Sequence, residues 1–393
     1  MDWRVPTKHD DGKVEIPSRW LALHYYEALN ILFRIENALR VLVYVVLKNE
    51  LGDDWKNAAV STDDGSSSIA AVTKKRMSQA DNFGYLGLPT ASPLMYLTTG
   101  ELVKLILADA YWKYFAKHFA ASKAVLEIKF GEINTIRNAF AHFRAISPND
   151  VATVKQVSGH VLGNVDPFLT QLMSCSLTVP TNTAEKWYGQ LKVLGTSCTR
   201  LEFKQDRDGR WTRIDLVYTV PVLSSHKGYN ERFTYSVIGL DGPAVISACP
   251  SLAKNLICAT EYIPWMFANT DGTLDHVSKT LSLRFSQKAV TDNVEVIRQE
   301  LEKVLSTIAD ETELIKQDNL ARGTIMRPLS LTGTKSDGTE WVLVSPIPLQ
   351  SDEPPIGQPE WWGTMQIYVD DFISSTNAFP WMATTISTTQ FPA

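Results

Sequence analysis

Arg137, Asn138 and His142 put three side chains of chemically useful type within one helical turn and a half of chain. On a helix Asn138 and His142 stand at i, i+4 and share a face. Arg137 lies about 100° round from Asn138, and its long stem brings the guanidinium to the edge of the same patch. Histidine titrates near neutrality and moves protons, arginine stays charged and grips phosphate oxygens in pairs, and asparagine offers both a donor and an acceptor. Such a trio suits RNA cleavage by the substrate's own 2′-hydroxyl, which needs no Ser or Cys nucleophile. The protein has to take a proton, stabilise the crowded phosphorus centre and protonate the leaving 5′-oxygen, and a His–Arg–Asn set does much of this without metal. One cluster carries one imidazole. Two clusters facing across a two-fold axis would carry two, which gives dimerisation a chemical rationale.

The helix that must hold this trio is expected over about 122–144, with Leu126, Phe130, Ile133 and Ile136 for burial. Before it, 19–51 contains no Pro or Gly and repeats Leu29, Leu32, Phe33, Leu39, Leu42, Val43, Val46 and Leu47 at helical spacing, with Gly52 as its stop. Residues 63–68 read as a loop and 69–81 as a short helix. Thr98 or Thr99 followed by Glu101 starts a helix running to about 119, and Ser147-Pro148-Asn149-Asp150 breaks the chain and caps a last one to about 173. Four long helices with modest connections predict an all-α four-helix bundle over 18–175, preceded by a polar arm, 1–17. Beyond residue 176 β-formers dominate. A hairpin is expected from 200–204 and 211–220 around Gly209, with further strands at 232–239, 278–285, 341–344 and 365–369 and one long helix over 291–319. Residues 176–393 therefore read as an α+β domain with a sensing or interaction role, its Pro-rich stretch 346–359 a surface loop.

Arg137-Asn138-x-x-x-His142 resembles the R-x(4–6)-H motif of the HEPN superfamily, in its R-[N/D/H]-x-x-x-H form. Glu36-Asn37-Ala38-Leu39-Arg40 followed by Leu51-Gly52-x-x-Trp55 is similar to the opening of the HEPN subgroup typified by RNA-surveillance nucleases. Tyr96-Leu97-Thr98-Thr99-Gly100-Glu101-Leu102 with Trp112 and Phe115 is similar to its middle helix, and Ile146-Ser147-Pro148-Asn149-Asp150 to its exit from the motif helix. The resemblance covers about 18–175. It implies a small helical bundle that forms a homodimer and acts as a metal-independent endoribonuclease in bacterial stress or antiphage defence, abortive infection included. By that resemblance Arg137 binds the scissile phosphate, Asn138 orients it and His142 is the acid/base. The substrate would be RNA, tRNA or another structured RNA, cut at unpaired positions that allow in-line attack. A phage or cellular trigger would act at the second domain. Other HEPN bundles are noncatalytic scaffolds, so a dimerisation module with a sensing domain is the competing class; a ligand-binding hydrolase in the β-rich half is a third.

Several residues stand beside the trio with two readings each. Arg144 extends the phosphate-binding surface or is simply solvated, and so do Lys74, Lys75 and Arg76 next to a Ser-rich loop. Glu36 and Arg40 either support the active side chains from the first helix or make an ordinary i, i+4 ion pair. His24 and His118 read as packing or surface histidines, and Trp341, Trp361, Trp362 and Trp381 as core more than as base-stacking platforms. Gly333-Thr334-Lys335-Ser336 lacks the glycine spacing of a phosphate loop and reads as a turn.

Composition narrows the classes. The 393 residues are 44% hydrophobic and 21% charged, a globular mixture. The net charge of −5 excludes a polycation that coats nucleic acid, and it is uneven: +1 over 1–175 and −6 over 176–393. Cys175, Cys198, Cys249 and Cys258 form no C-x-x-C pair and read as reduced thiols, with no metal or cofactor expected. No signal-peptide apolar region opens the chain, and its longest apolar run, 41–47, is seven residues, so a cytoplasmic protein without a membrane span is expected.

Overall fold

The computed structural model describes residues 23–347 except 63–64, 83–92, 143, 145, 180–183, 229–231, 264–265, 270, 317–322 and 336–341; outside that span it describes 7–8, 10–11, 14–15, 361–362 and 391–392. Short pairs β1 (Thr7–Lys8) and β2 (Val14–Glu15) lie near the start. Helix α1 (Leu23–Leu51) ends at Gly52, whose φ of 61° is the left-handed stop that glycine alone takes without strain. The second half of α1 has no solvent face: every residue from Ala38 to Lys48 is buried. A helix that is apolar all round needs neighbours all round. Helices from 99 onward surround it, and Trp211, Ile257 and Cys258 of the later sheet join the same core.

The four-helix bundle expected for 18–175 does not form. After α1 comes a 3-10 turn, Gly52–Asn57, then a hairpin of β3 (Ala59–Thr62) and β4 (Gly65–Ser68) where a loop was expected, and α2 (Ile69–Asn82). A 3-10 turn, Pro93–Tyr96, leads to α3 (Thr99–Leu107), begun by a capping box between Thr98 and Glu101. The expected helix to 119 breaks at Ala108, which turns extended at ψ 135°, and resumes as α4 (Asp109–Phe115). The motif helix is α5 (Lys123–Ala141). Ser147 and Asp150 form a second capping box at the start of α6 (Pro148–Leu162), and the last expected helix also breaks, at Gly163-Asn164, before α7 (Val165–Ser174). Among the described residues six shorter helices, set around α1 and against a sheet, replace the four antiparallel ones expected.

The rest is a nine-stranded antiparallel sheet with helices against it. Its strands are β5 (Leu177–Thr178), β6 (Thr199–Gln205), β7 (Trp211–Lys227), β8 (Arg232–Leu240), β9 (Leu256–Tyr262), β10 (Met266–Ala268), β11 (His276–Ser286), β12 (Met326–Lys335) and β13 (Val342–Ile347). The order is β10-β13-β12-β8-β7-β11-β9, with β6 on β7 and β5 on β6. Long β7 is the spine: its first part pairs with β6 and β11, and from Val222 onward, across an irregularity between Val222 and Ser224, it pairs with β8. Helices α8 (Lys186–Leu191), α9 (Gly242–Ala248), α10 (Pro250–Asn255), α11 (Gln287–Asp292) and α12 (Val294–Lys316) complete this half. The expected helix 291–319 is thus split at Asn293, and Gly333 to Lys335 lie in β12, not in a turn. One sheet face packs Ile214, Leu216, Tyr218, Leu281, Leu283 and Phe285 with Ile297, Leu301 and Ile308 of α12, and the Tyr218 and Thr312 hydroxyls share a 2.9 Å hydrogen bond. Short β14 (Trp361–Trp362) pairs with β15 (Phe391–Pro392). The strand expected at 365–369, Trp341, Trp381 and most of the Pro-rich stretch lie outside the described residues.

The other sheet face carries charge. Lys204, Arg213 and Arg284 are register partners in a row across β6, β7 and β11. Asp215, with a side chain 1% exposed, accepts from Arg213 Nε at 2.6 Å and from Lys204 Nζ at 2.8 Å. Arg284 donates to Thr260 Oγ1 at 2.8 Å and to the Met173 carbonyl in the last turn of α7 at 3.3 Å, where the helix dipole favours a cation. That contact ties the helical half to the sheet. Among the described residues no helix is long and apolar enough to cross a membrane.

Burial alone would raise the Asp215 carboxyl, but hydrogen bonds from Arg213 and Lys204 outweigh it and hold it below the ordinary carboxylate value. A carboxyl lowered on folding stabilises above its unfolded pKa, and that contribution disappears as pH falls through the folded one. Asp215→Asn should therefore lower stability at pH 7 by about 3 kcal/mol and flatten the acid limb below about pH 4. Urea melts from pH 7 to pH 2 test both; a wild-type acid limb in the variant would refute the assignment.

Candidate functional site

Helix α5 buries Leu126, Phe130, Ile133, Ile136 and Phe140, one stripe at helical spacing. That stripe fixes the rotation of the helix and sends the opposite side outward: Asn138 and His142 are exposed and Arg137 is half-buried. His142 is the C-cap residue; its backbone N–H donates to the Asn138 carbonyl at 3.2 Å and so stays in line with the last turn. Arg144 follows, exposed, its N–H donating to the Ala139 carbonyl at 2.8 Å. Arg137, Asn138, His142 and Arg144 thus all lie at the C-terminal end of α5, three of them exposed and Arg137 half-buried.

Under this end lies a buried polar network on α1. Arg40, 7% exposed, donates through Nε to the Leu94 carbonyl at 3.1 Å, through Nη1 to Asn37 Oδ1 at 3.2 Å and through Nη2 to the Leu97 carbonyl at 3.3 Å. It also pairs with Glu36, which accepts from the Thr99 hydroxyl. Burial lowers the Arg40 pKa, Glu36 opposes that, and the charge of Arg137 adds to the lowering, so the two guanidinia lie within electrostatic reach. Glu36 and Arg40 therefore belong to a network that fastens α1 to the segment before α3, with Arg137 at its edge. The i, i+4 spacing made the pair visible in the sequence; Thr99, which reads there only as a helix start, had no such signal.

The basic run on α2 divides. Lys74 and Lys75 are exposed. Arg76 is engaged instead with Glu101, two bonds of 2.7 Å, and with the Tyr96 carbonyl at 2.6 Å. Burial opposes ionisation of Glu101, yet the bonds from Arg76 and Thr98 bring its pKa below the ordinary value. Arg40 and Arg76 together hold the carbonyls of 94, 96 and 97, two cations on one short stretch of backbone. His118 is buried against Phe168 of α7, and His24 lies in α1. Cys175, Cys249 and Cys258 are buried free thiols, their pKa values raised to about 12 by desolvation first of all, which suits packing and not nucleophilic work. Among the described residues no group of three or more His, Cys, Asp or Glu side chains could hold a metal ion.

Arg76→Ala would leave Glu101 without its bidentate partner. We expect a loss of about 2 kcal/mol, already reduced for the solvent-facing side of Arg76, whereas Lys74→Ala and Lys75→Ala should stay within about 0.5 kcal/mol of wild type. Thermal denaturation at pH 7 separates the two cases, and equal effects at all three positions would contradict the division.

Compared with known proteins, the chain matches no family model, no curated protein and no solved structure.

Proposed function

We propose that the chain is a metal-independent endoribonuclease acting through Arg137, Asn138 and His142. The observation that carries this is the grouping of the three side chains at the open end of α5, above a helix side anchored by Ile133, Ile136 and Phe140. The resemblance of the motif and its flanks to HEPN sequences supports the same chemistry, although the bundle it implied is not formed. In the proposed step the RNA 2′-oxygen attacks the adjacent phosphorus as its proton passes to a base. The bond to the 5′-oxygen breaks, and that oxygen takes a proton, leaving a 2′,3′-cyclic phosphate and a 5′-hydroxyl. Arg137 neutralises the non-bridging oxygens, Asn138 orients the phosphate and His142 transfers protons. A second copy placed with its own trio opposite the first would supply the second imidazole, so a homodimer is part of the proposal. The bacterial stress or antiphage setting, tRNA as substrate and a trigger recognised by the acidic second half come with the resemblance.

Incubation with total RNA in EDTA tests the reaction. Wild type should give fragments ending in cyclic phosphate, His142→Ala should lose at least about 100-fold in rate, and Arg137→Ala a comparable amount. Cleavage by His142→Ala at the wild-type rate would refute the assignment, and absence of cleavage by a wild-type dimer would favour the scaffold class. Because the trio contacts few phosphates, RNA affinity should fall only weakly with salt, with a log–log slope shallower than about −3.

A further inference from the structure

The helical half and the sheet leave a recess between them beside the turn from β6 into β7. Asp206 shapes that turn: its Oδ1 accepts from the backbone N–H groups of Arg210 at 2.7 Å and Trp211 at 2.8 Å, while Gly209 takes φ 63°. The Gln287 N–H donates to the Arg210 carbonyl at 2.7 Å, which sets Arg210 beside Lys288. Facing them are Lys117 and His118 from the 3-10 turn after α4 and Phe168 from α7. The cavity measures about 240 Å³, and an adjoining one of about 380 Å³ shares Lys117, His118, Phe168 and Arg210.

Two features mark this recess as more than a packing gap. Its charge is lopsided among the described residues: Lys117, Arg210 and Lys288 line it against one lining carboxylate, Glu50, which Lys117 meets at 3.4 Å, and Arg210 pairs at 3.6 Å with Asp208 outside the lining. Two of its lining residues, His118 and Trp211, also carry buried nitrogens without a partner among the described residues. His118 is 4% exposed and Trp211 3%, and neither His118 Nε2 nor Trp211 Nε1 has a hydrogen-bond partner among the described residues. Phe168 lies between the two rings, 4.1 Å from the His118 centroid and 5.8 Å from that of Trp211, and so holds both heterocycles in place. Buried polar atoms without partners are rare in folded proteins, and an indole N–H can only donate. Burial first, then the charges of Lys117 and Arg210, push the His118 pKa down to about 4. The imidazole is neutral near neutrality and would gain affinity for a proton if an anion arrived beside it.

We propose that this recess binds a small phosphate-bearing molecule, with Lys117, Arg210 and Lys288 neutralising the phosphate and His118 Nε2 and Trp211 Nε1 donating hydrogen bonds to it. Arginine and lysine beside two buried heterocycles suit a phosphate dianion better than a monocarboxylate. Walls from both halves line the recess, so the ligand would clamp the helical half to the sheet. This binding site is separate from the trio on α5 and does not depend on the endoribonuclease proposal.

Calorimetry on the full chain, at constant ionic strength, tests it with inorganic phosphate, pyrophosphate and adenosine 5′-monophosphate as probes. We expect saturable binding of at least one probe and a ligand-dependent rise in Tm. Arg210→Ala and Lys288→Ala change exposed side chains and should keep the unliganded Tm while weakening binding at least 10-fold each; Trp211→Phe, which keeps the ring and removes the N–H, should weaken it several-fold. Binding should persist in Arg137→Ala, which excludes the α5 site as its source. Read in buffers of different ionisation heat at pH 6, binding of inorganic phosphate should release the proton that the monoanion loses to bind as the dianion, His118 taking part of it back, so His118→Gln should increase the net release. Preference among the probes identifies the source: free phosphate, a diphosphate group or a nucleotide. No saturable binding of any probe, or undiminished binding in the Arg210→Ala/Lys288→Ala double variant, would overturn the proposal.

Discussion

Lys204, Arg213 and Arg284 stand opposite one another on three neighbouring strands, and Asp215 is the carboxylate buried among them. Three cations in one row of a sheet repel one another strongly once water is removed, so this face closes only because Asp215 holds two of them and the end of α7 receives the third. Placement of the helical half follows from that closure. With Arg284 on the Met173 carbonyl, the first core reaches Trp211, Ile257 and Cys258, and α1 gains a lid where it would otherwise expose apolar surface. The recess beside Lys117 and Arg210 is the rim of the same joint, where packing stops and cations remain.

The helical half obeys the same constraint with different residues. Arg40 is buried on the central helix, and its charge is tolerated because Glu36, Asn37 and two backbone carbonyls face it. Arg76 treats Glu101 and the Tyr96 carbonyl in the same way from α2. These two cations convert a stretch with few backbone bonds of its own into a fixed connection between α1 and α3. Helix α5 packs its apolar stripe on this platform, and the polar trio is what remains outside. The division between arginines that are tied into the fold and polar groups left at the surface is therefore a matter of depth and partner, not of residue type.

Depth is also what the sequence could not display. The helix starts expected at Thr98 or Thr99 and at Ser147, the stop at Gly52 and the turn at Gly209 rest on residue types whose local preferences need no distant partner, and the structure has them there, with capping boxes closing both starts. The same holds for the common face of Asn138 and His142, which follows from helical geometry. The break at Ala108 had no such mark. Alanine favours helix, and the chain leaves the helix there because Asp109–Phe115 must turn to cover α1. Arg76 offered the same difficulty: beside Lys74 and Lys75 it looks like one of three solvated cations, and only its distance to Glu101, 25 residues away, separates it from them.

Local patterning, then, determined by itself several helix starts, the stop at Gly52, the turn at Gly209 and which side chains share the open face of α5, since caps, glycines and periodicity act over a few residues. Tertiary structure decided the architecture: a sheet-backed helical layer in place of a bundle, the pairing of the buried charges, and a cation-lined recess made from residues 117, 118, 168, 210, 211 and 288. Those outcomes depend on which long-range partner removes each charge and each apolar surface from water, and that cost exceeds any local preference.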